Sequence, residues 1–187
     1  INAAGSIGTA RVADTNHVDL VSNGGFGYQP QTTWNGQRFS AAKAFLDSVR
    51  DRPNLTVMTG THVQRIEFSQ RRAVAVHIAG KGGEQSFGVR REVVLCAGAI
   101  ESPKLLQLSG IGPAELLKQH GIALVQDSPD VGRNLREHVY MAVQYPVTSG
   151  SLNHCFAGFG LLRSVAQYFF SKKGPMTHAA HEAGGFV

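Results

Sequence analysis

The residues best placed for chemistry lie between Val93 and Pro113: Val93, Val94 and Leu95, then Cys96, Ala97, Gly98 and Ala99, then Ser102-Pro103 and a leucine-rich run. A β-branched, apolar run reads as a strand buried on both faces. The small residues after it hold nothing away from the backbone, so a ligand can come close. Ser102 before Pro103 predicts a helix start, with a hydroxyl to accept from open amides and Pro where no amide is needed. Leu105, Leu106 and Leu108 supply an apolar face, and Gly110, Gly112 and Pro113 stop the helix. A strand, a small-residue turn and a helix N-terminus together present backbone amides to an anionic group such as a pyrophosphate. The same pattern also serves a plain βα unit that holds no ligand.

Other reactive side chains carry less. Cys96, at the expected strand end, reads as a small core residue rather than a nucleophile, and with Cys155 it makes neither a disulfide framework nor a zinc site. His138 stands alone and reads as a hydrogen-bonded structural residue rather than a proton carrier. His178, His181 and Glu182 lack a further metal ligand and read as solvated polar residues, so no metal site is expected.

Composition bounds the remaining choices. The chain has 187 residues, 42% of them hydrophobic, and 22 glycines, which suits an α/β or α+β protein with many turns. Its net charge of +5 comes from basic residues scattered along the sequence and not interleaved with aromatics, which argues against nucleic-acid binding. No apolar run reaches membrane-spanning length and no leader pattern opens the chain, so a cytoplasmic protein without a membrane span is expected. The start at Ile1 suggests a chain that begins inside a longer one.

Several elements must position these residues. Turns are expected at Gly24-Gly25-Phe26-Gly27-Tyr28 and at Trp34-Asn35-Gly36, and an amphipathic helix over 40–51 with Ser40 as N-cap. Strands are expected over 55–58, 62–68, 73–78 and 85–89, forming a small antiparallel meander ahead of the central strand. A second helix over 114–120 is capped by Gly121, followed by strands over 122–125 and 139–147 and a helix over 161–170.

The run Gly98-Ala99-Ile100-Glu101-Ser102-Pro103, Leu105-Leu106 and Ser109-Gly110-Ile111-Gly112 resembles the second signature of the glucose-methanol-choline (GMC) flavoprotein oxidoreductases. Asn35-Gly36-Gln37-Arg38 with Ser40-Ala41-Ala42 resembles another run of that family, as does the stretch from Pro129 to His138. In that last stretch Asp130 stands for the usual Gly and Glu137 for the usual Asp, and the first exchange puts a turn in question, since Gly can take a positive φ.

The resemblance implies an α/β (α+β mixed) fold: part of a Rossmann-like FAD-binding domain with a small antiparallel meander, plus the start of an antiparallel substrate domain. It implies a border segment over 1–37, flavin domain over 38–135 and substrate domain over 136–187. It further implies FAD as cofactor and a small-molecule alcohol as substrate, oxidised at its CH–OH group by hydride transfer to the flavin.

Cofactor contacts are expected from the backbone of Val63 against the adenine, from Ala97 and Gly98, and from Glu101 and Ser102 at the helix start. An acid there suits the helix dipole but repels phosphate, so Glu101 caps the helix or meets a sugar hydroxyl. The family's N-terminal Gly-x-Gly-x-x-Gly and its catalytic His pair match no position here. Gly110-Ile111-Gly112-Pro113-Ala114-Glu115 fails as a fingerprint because it follows a helix and has Glu at the third glycine's place.

The expected protein is therefore an internal fragment of an FAD-dependent alcohol or choline-type dehydrogenase or oxidase, inactive by itself and prone to self-association. The alternatives are an FAD-containing non-redox lyase of the same family and a standalone nucleotide-binding or interaction module.

Overall fold

The computed structural model describes residues 5–6, 8–17, 23–178 and 181–186. Parts of the expected N-terminal border segment, and Val187 at the end of the last glycine-rich run, lie outside the described residues. In chain order the elements are β1 (Gly25–Tyr28), β2 (Thr33–Trp34), β3 (Gln37–Arg38), β4 (Thr61–Ser69), β5 (Arg72–Gly80), β6 (Gly83–Gly88), α1 (Gly98–Leu108), β7 (Ile111–Gly112), α2 (Ala114–Gln119), β8 (Gln126–Asp127), α3 (Gly158–Ser171) and β9 (Ala183–Phe186). The architecture is mixed α and β with small, mostly antiparallel sheets.

Contacts divide the chain into two compact units, one of residues 56–142 and one of residues 1–55 with 143–187. The division expected at 37/38 and 135/136 rests on motifs, a different quantity from compactness.

In the unit of residues 56–142, β4, β5 and β6 form an antiparallel sheet in that order. Alternating apolar residues on β4 and β5 send Ile66 and Ile78 inward, and these are buried together with Leu105 of α1 and Leu117 of α2. Ser109, just past α1, is buried too. Its Oγ accepts from the Ile66 amide at 2.8 Å and donates to the Leu105 carbonyl at 2.6 Å. One hydroxyl thereby ties the sheet to the end of the helix.

Both helices of this unit stop where glycine is expected. Gly110 has φ of 87°, and a Cβ there would stand 2.5 Å from the Ala123 carbonyl oxygen. Gly121, at φ 67°, donates to the Lys118 carbonyl while Ile122 donates to that of Leu117, the paired bonds of a Schellman cap. At the exchange in the Pro129 to His138 run, Asp130 is not among the residues with positive φ; Gly132 and Asn134 are. The departure at 130 falls where the backbone does not need glycine.

Several expectations are corrected. Residues 93–95 form no strand among the described residues, and Val94 is 73% exposed. A parallel strand exists only through its neighbours' hydrogen bonds, and none is supplied here. Cys96 is accordingly exposed, not core. The helix begins at Gly98 rather than Ser102, so Pro103 lies inside it. The strand expected over 122–125 is displaced to β8, which pairs in parallel with β7. Residues 55–58 and 139–147 form no strand; Val139, Tyr140 and Tyr145 are exposed.

In the other unit, β1 pairs antiparallel with β9, so Gly25-Phe26-Gly27-Tyr28 is a strand and not a turn. Asn35 and Gly36, with φ of 48° and 67°, form the expected tight turn between β2 and β3. The helix expected over 40–51 is a widened turn, Ala42–Leu46, running into a 3₁₀ turn, Asp47–Val49; Ser40 Oγ accepts from the Lys43 amide at 3.4 Å. α3 starts three residues earlier than expected and leaves Phe159, Leu162, Phe169 and Phe170 exposed. No helix among the described residues is long and apolar enough to cross a membrane.

Candidate functional site

A cleft of about 660 Å³ opens in the unit of residues 56–142, where the start of β4 faces residues 93–97 and the first turns of α1. Its floor is apolar: Val63 and Ile66 from β4, Val76 from β5, Val93 and Leu95 from the unpaired run. β4 positions Val63 because the register shifts between Val63 and Arg65, a bulge that re-aims the strand beside the cleft. On the opposite side Ala97 leads into Gly98, whose φ of 84° lies in the left-handed region. A Cβ on Gly98 would meet nothing within 4 Å. Glycine is there for its backbone conformation, and it leaves open space beside the turn.

The helix side of the cleft carries charge. Glu101 in the first turn of α1 and Lys104 three residues on both line it, and Lys104 Nζ lies 3.0 and 3.2 Å from the two carboxylate oxygens. Both side chains are about half exposed, so the pair adds little to stability. Its effect is to cancel charge at the cleft mouth. What remains is a neutral, largely apolar slot with unused acceptor capacity on Glu101, suited to a flat heterocycle with a hydroxylated group rather than to a bare phosphate.

Of the residues expected to contact a cofactor, Val63, Ala97 and Glu101 line this one cleft. Gly98 adjoins it through Ala97. Ser102 is turned to the local backbone, its Oγ accepting from the Ala97 amide at 3.1 Å, so it shapes the turn instead of facing the space. The expectation that Ser102 caps the helix start is corrected: the helix begins at Gly98, and Ser102 lies within its second turn.

His62, Cys96 and Lys104 also line the cleft and were not among the expected contacts. The i, i+3 spacing of Glu101 and Lys104 on one helix face is a sequence signal that reveals Lys104. Cys96 carries no such signal, because its exposure follows from the missing strand partners.

Elsewhere, His178 Nδ1 pairs with the Glu182 carboxylate. Among the described residues no group of three or more His, Cys, Asp or Glu is gathered as a metal site.

The family model described as GMC oxidoreductase matches residues 1–140. The chain is 40% identical over 168 residues to an alcohol dehydrogenase [acceptor] of Pseudomonas putida, covering 87% of this chain and 30% of that protein. It is 40% identical over 175 residues to oxygen-dependent choline dehydrogenase 1 of Chromohalobacter salexigens, covering 92% of this chain and 31% of that one. Among solved structures, a formate oxidase superposes with a TM-score of 0.80 at 29% identity, over 97% of this chain and 31% of its own. An FAD-dependent oxidoreductase from Chaetomium thermophilum does so with a TM-score of 0.79 at 27% identity, over 97% and 32%. The chain thus spans under a third of the length of these relatives.

Proposed function

The chain belongs to the GMC oxidoreductase family, and from that premise we propose that it forms part of the FAD-holding region of an enzyme that oxidises a small alcohol at its CH–OH group. The relatives named for alcohol and choline favour a choline-like or simple alcohol substrate. FAD, when bound, supplies the two-electron acceptor that protein side chains lack.

This chain's own residues bind and orient. Val63 and the apolar floor take the face of the adenine, Ala97 and Gly98 let the backbone come close, and Glu101 accepts from a sugar hydroxyl while Lys104 holds its carboxylate in place. Ser102 keeps the Ala97–Gly98 turn in shape through the Ala97 amide.

The observation that supports this reading is the gathering of Val63, Ala97 and Glu101 around one neutral cleft beside an open glycine. A neutral slot fits the nucleoside half of the cofactor and leaves the pyrophosphate to other parts of the protein. No residue expected to serve as the catalytic base is found in the cleft, so the 187 residues by themselves bind without turning over alcohol. Exposed apolar side chains such as Phe159 and Phe170 favour self-association of the chain.

The test is an absorbance and fluorescence titration of the purified chain with FAD. Saturable binding that Gly98→Leu weakens at least tenfold is the expected result. A folded chain that takes up no FAD, or a Gly98→Leu variant that binds as well as the parent, refutes the assignment of this cleft.

A further inference from the structure

The Asn35-Gly36-Gln37-Arg38 motif plays no part in the cleft on β4 and α1. Its Asn-Gly turn closes the β2–β3 hairpin, and Arg38 sits opposite Thr33 in the register. The hairpin lies hard against the C-terminal end of α3: a Cβ on Gly36 would collide with the Lys172 carbonyl oxygen. Only glycine permits that approach, and the approach sets where Arg38 stands.

The result is a second cleft of about 550 Å³, contained within the unit of residues 1–55 and 143–187. Arg38, Thr32 and Thr33 line it from the hairpin; Tyr168, Met176 and His181 line it from the other side. Among the described residues no acidic side chain is in the lining. Arg38 makes no ion pair among the described residues, and the Glu182 carboxylate pairs with His178, a lining residue. Lys172 Nζ stands 4.5 Å over the Tyr168 ring and adds to the positive potential.

An unpaired guanidinium presents a planar fork that matches a carboxylate with two parallel hydrogen bonds. Among polar neighbours such as Gln31, Thr177 and His178, the lining also offers the Tyr168 ring and the Met176 thioether, which bind carbon rather than charge. A bare inorganic oxyanion would use the fork and gain nothing from the ring and the thioether. We infer that this cleft binds a small organic carboxylate, anchored on Arg38 with its carbon body against Tyr168 and Met176. Its lining shares no residue with the nucleotide cleft, and the inference does not depend on that reading.

The test is isothermal titration of the full chain with benzoate and, separately, with inorganic phosphate. Saturable benzoate binding is expected, weakened about tenfold or more by Arg38→Ala, in line with the loss of hydrogen bonds to a charged group. Arg38→Lys should fall between, since an ammonium keeps the charge and loses the fork. Tyr168→Leu should weaken benzoate but leave phosphate unchanged. Arg38 is exposed and its side chain holds no internal bond, so these variants are expected to melt like the parent. Absence of benzoate binding by the folded chain overturns the proposal. So does an Arg38→Ala or Arg38→Lys variant that binds benzoate as the parent does, and so does phosphate binding as tight as benzoate.

Discussion

Replacing Ser109 by Ala removes one oxygen that two elements share. The Ile66 amide donates to Ser109 Oγ at 2.8 Å, and Ile66 is only 4% exposed. Water does not replace the lost partner there, so the variant carries an unsatisfied buried donor, a cost of about 1–3 kcal/mol. The Leu105 carbonyl is less affected, because it also accepts from the Ser109 amide at 3.1 Å. For a cooperative unit of this size, a loss of about 2 kcal/mol lowers the melting temperature by roughly 8–16 °C.

The same change should act on the nucleotide cleft, since Ile66 lines it and Val63 lies on the same strand. The assays are a thermal melt, hydrogen exchange at the Ile66 amide, and FAD titration. Faster exchange at Ile66 is the local signature, and Ser109→Thr, which keeps the hydroxyl, should restore most of it. A Ser109→Ala variant that melts with the parent and leaves Ile66 equally protected would show that the bond does not tie helix to sheet.

Gly98→Ala should cost about 1–2 kcal/mol in a melt, from its left-handed φ alone, because the space beside it is open. Gly110→Ala should cost a further 1–3 kcal/mol or so, since its Cβ also meets the Ala123 carbonyl and Val125; equal costs would refute the distinction. Glu101→Gln should change stability by less than about 1 kcal/mol, given its half-exposed pairing with Lys104, yet weaken FAD binding several-fold in titration. Phe159→Glu with Phe170→Glu should raise the monomer fraction in light scattering, and an unchanged mass would place the association surface elsewhere.

Local chemistry made much of this protein legible. The Asn35-Gly36 turn, the glycine caps at 110 and 121 and the alternating strands of the meander depend on residues close in sequence, and they stand where the residue types put them. Of the five residues that the family resemblance names, Val63, Ala97 and Glu101 line one cleft, while Gly98 and Ser102 are not in its lining.

Some expectations failed because strand pairing is not local. Residues 93–95 and 139–147 have strand-like side chains but pair with no strand among the described residues, and a strand is a property of two segments, not one. Cys96 changed from core to cleft lining for that reason. The Ser109 bond to Ile66 spans 43 residues, and the contact between Gly36 and Lys172 joins segments far apart in the chain. The sequence by itself determined the turns, caps and apolar periodicities, whose energies are local; the tertiary structure alone decided which unpaired backbone was left open and which side chains came to share a cleft, because those depend on contacts between distant segments.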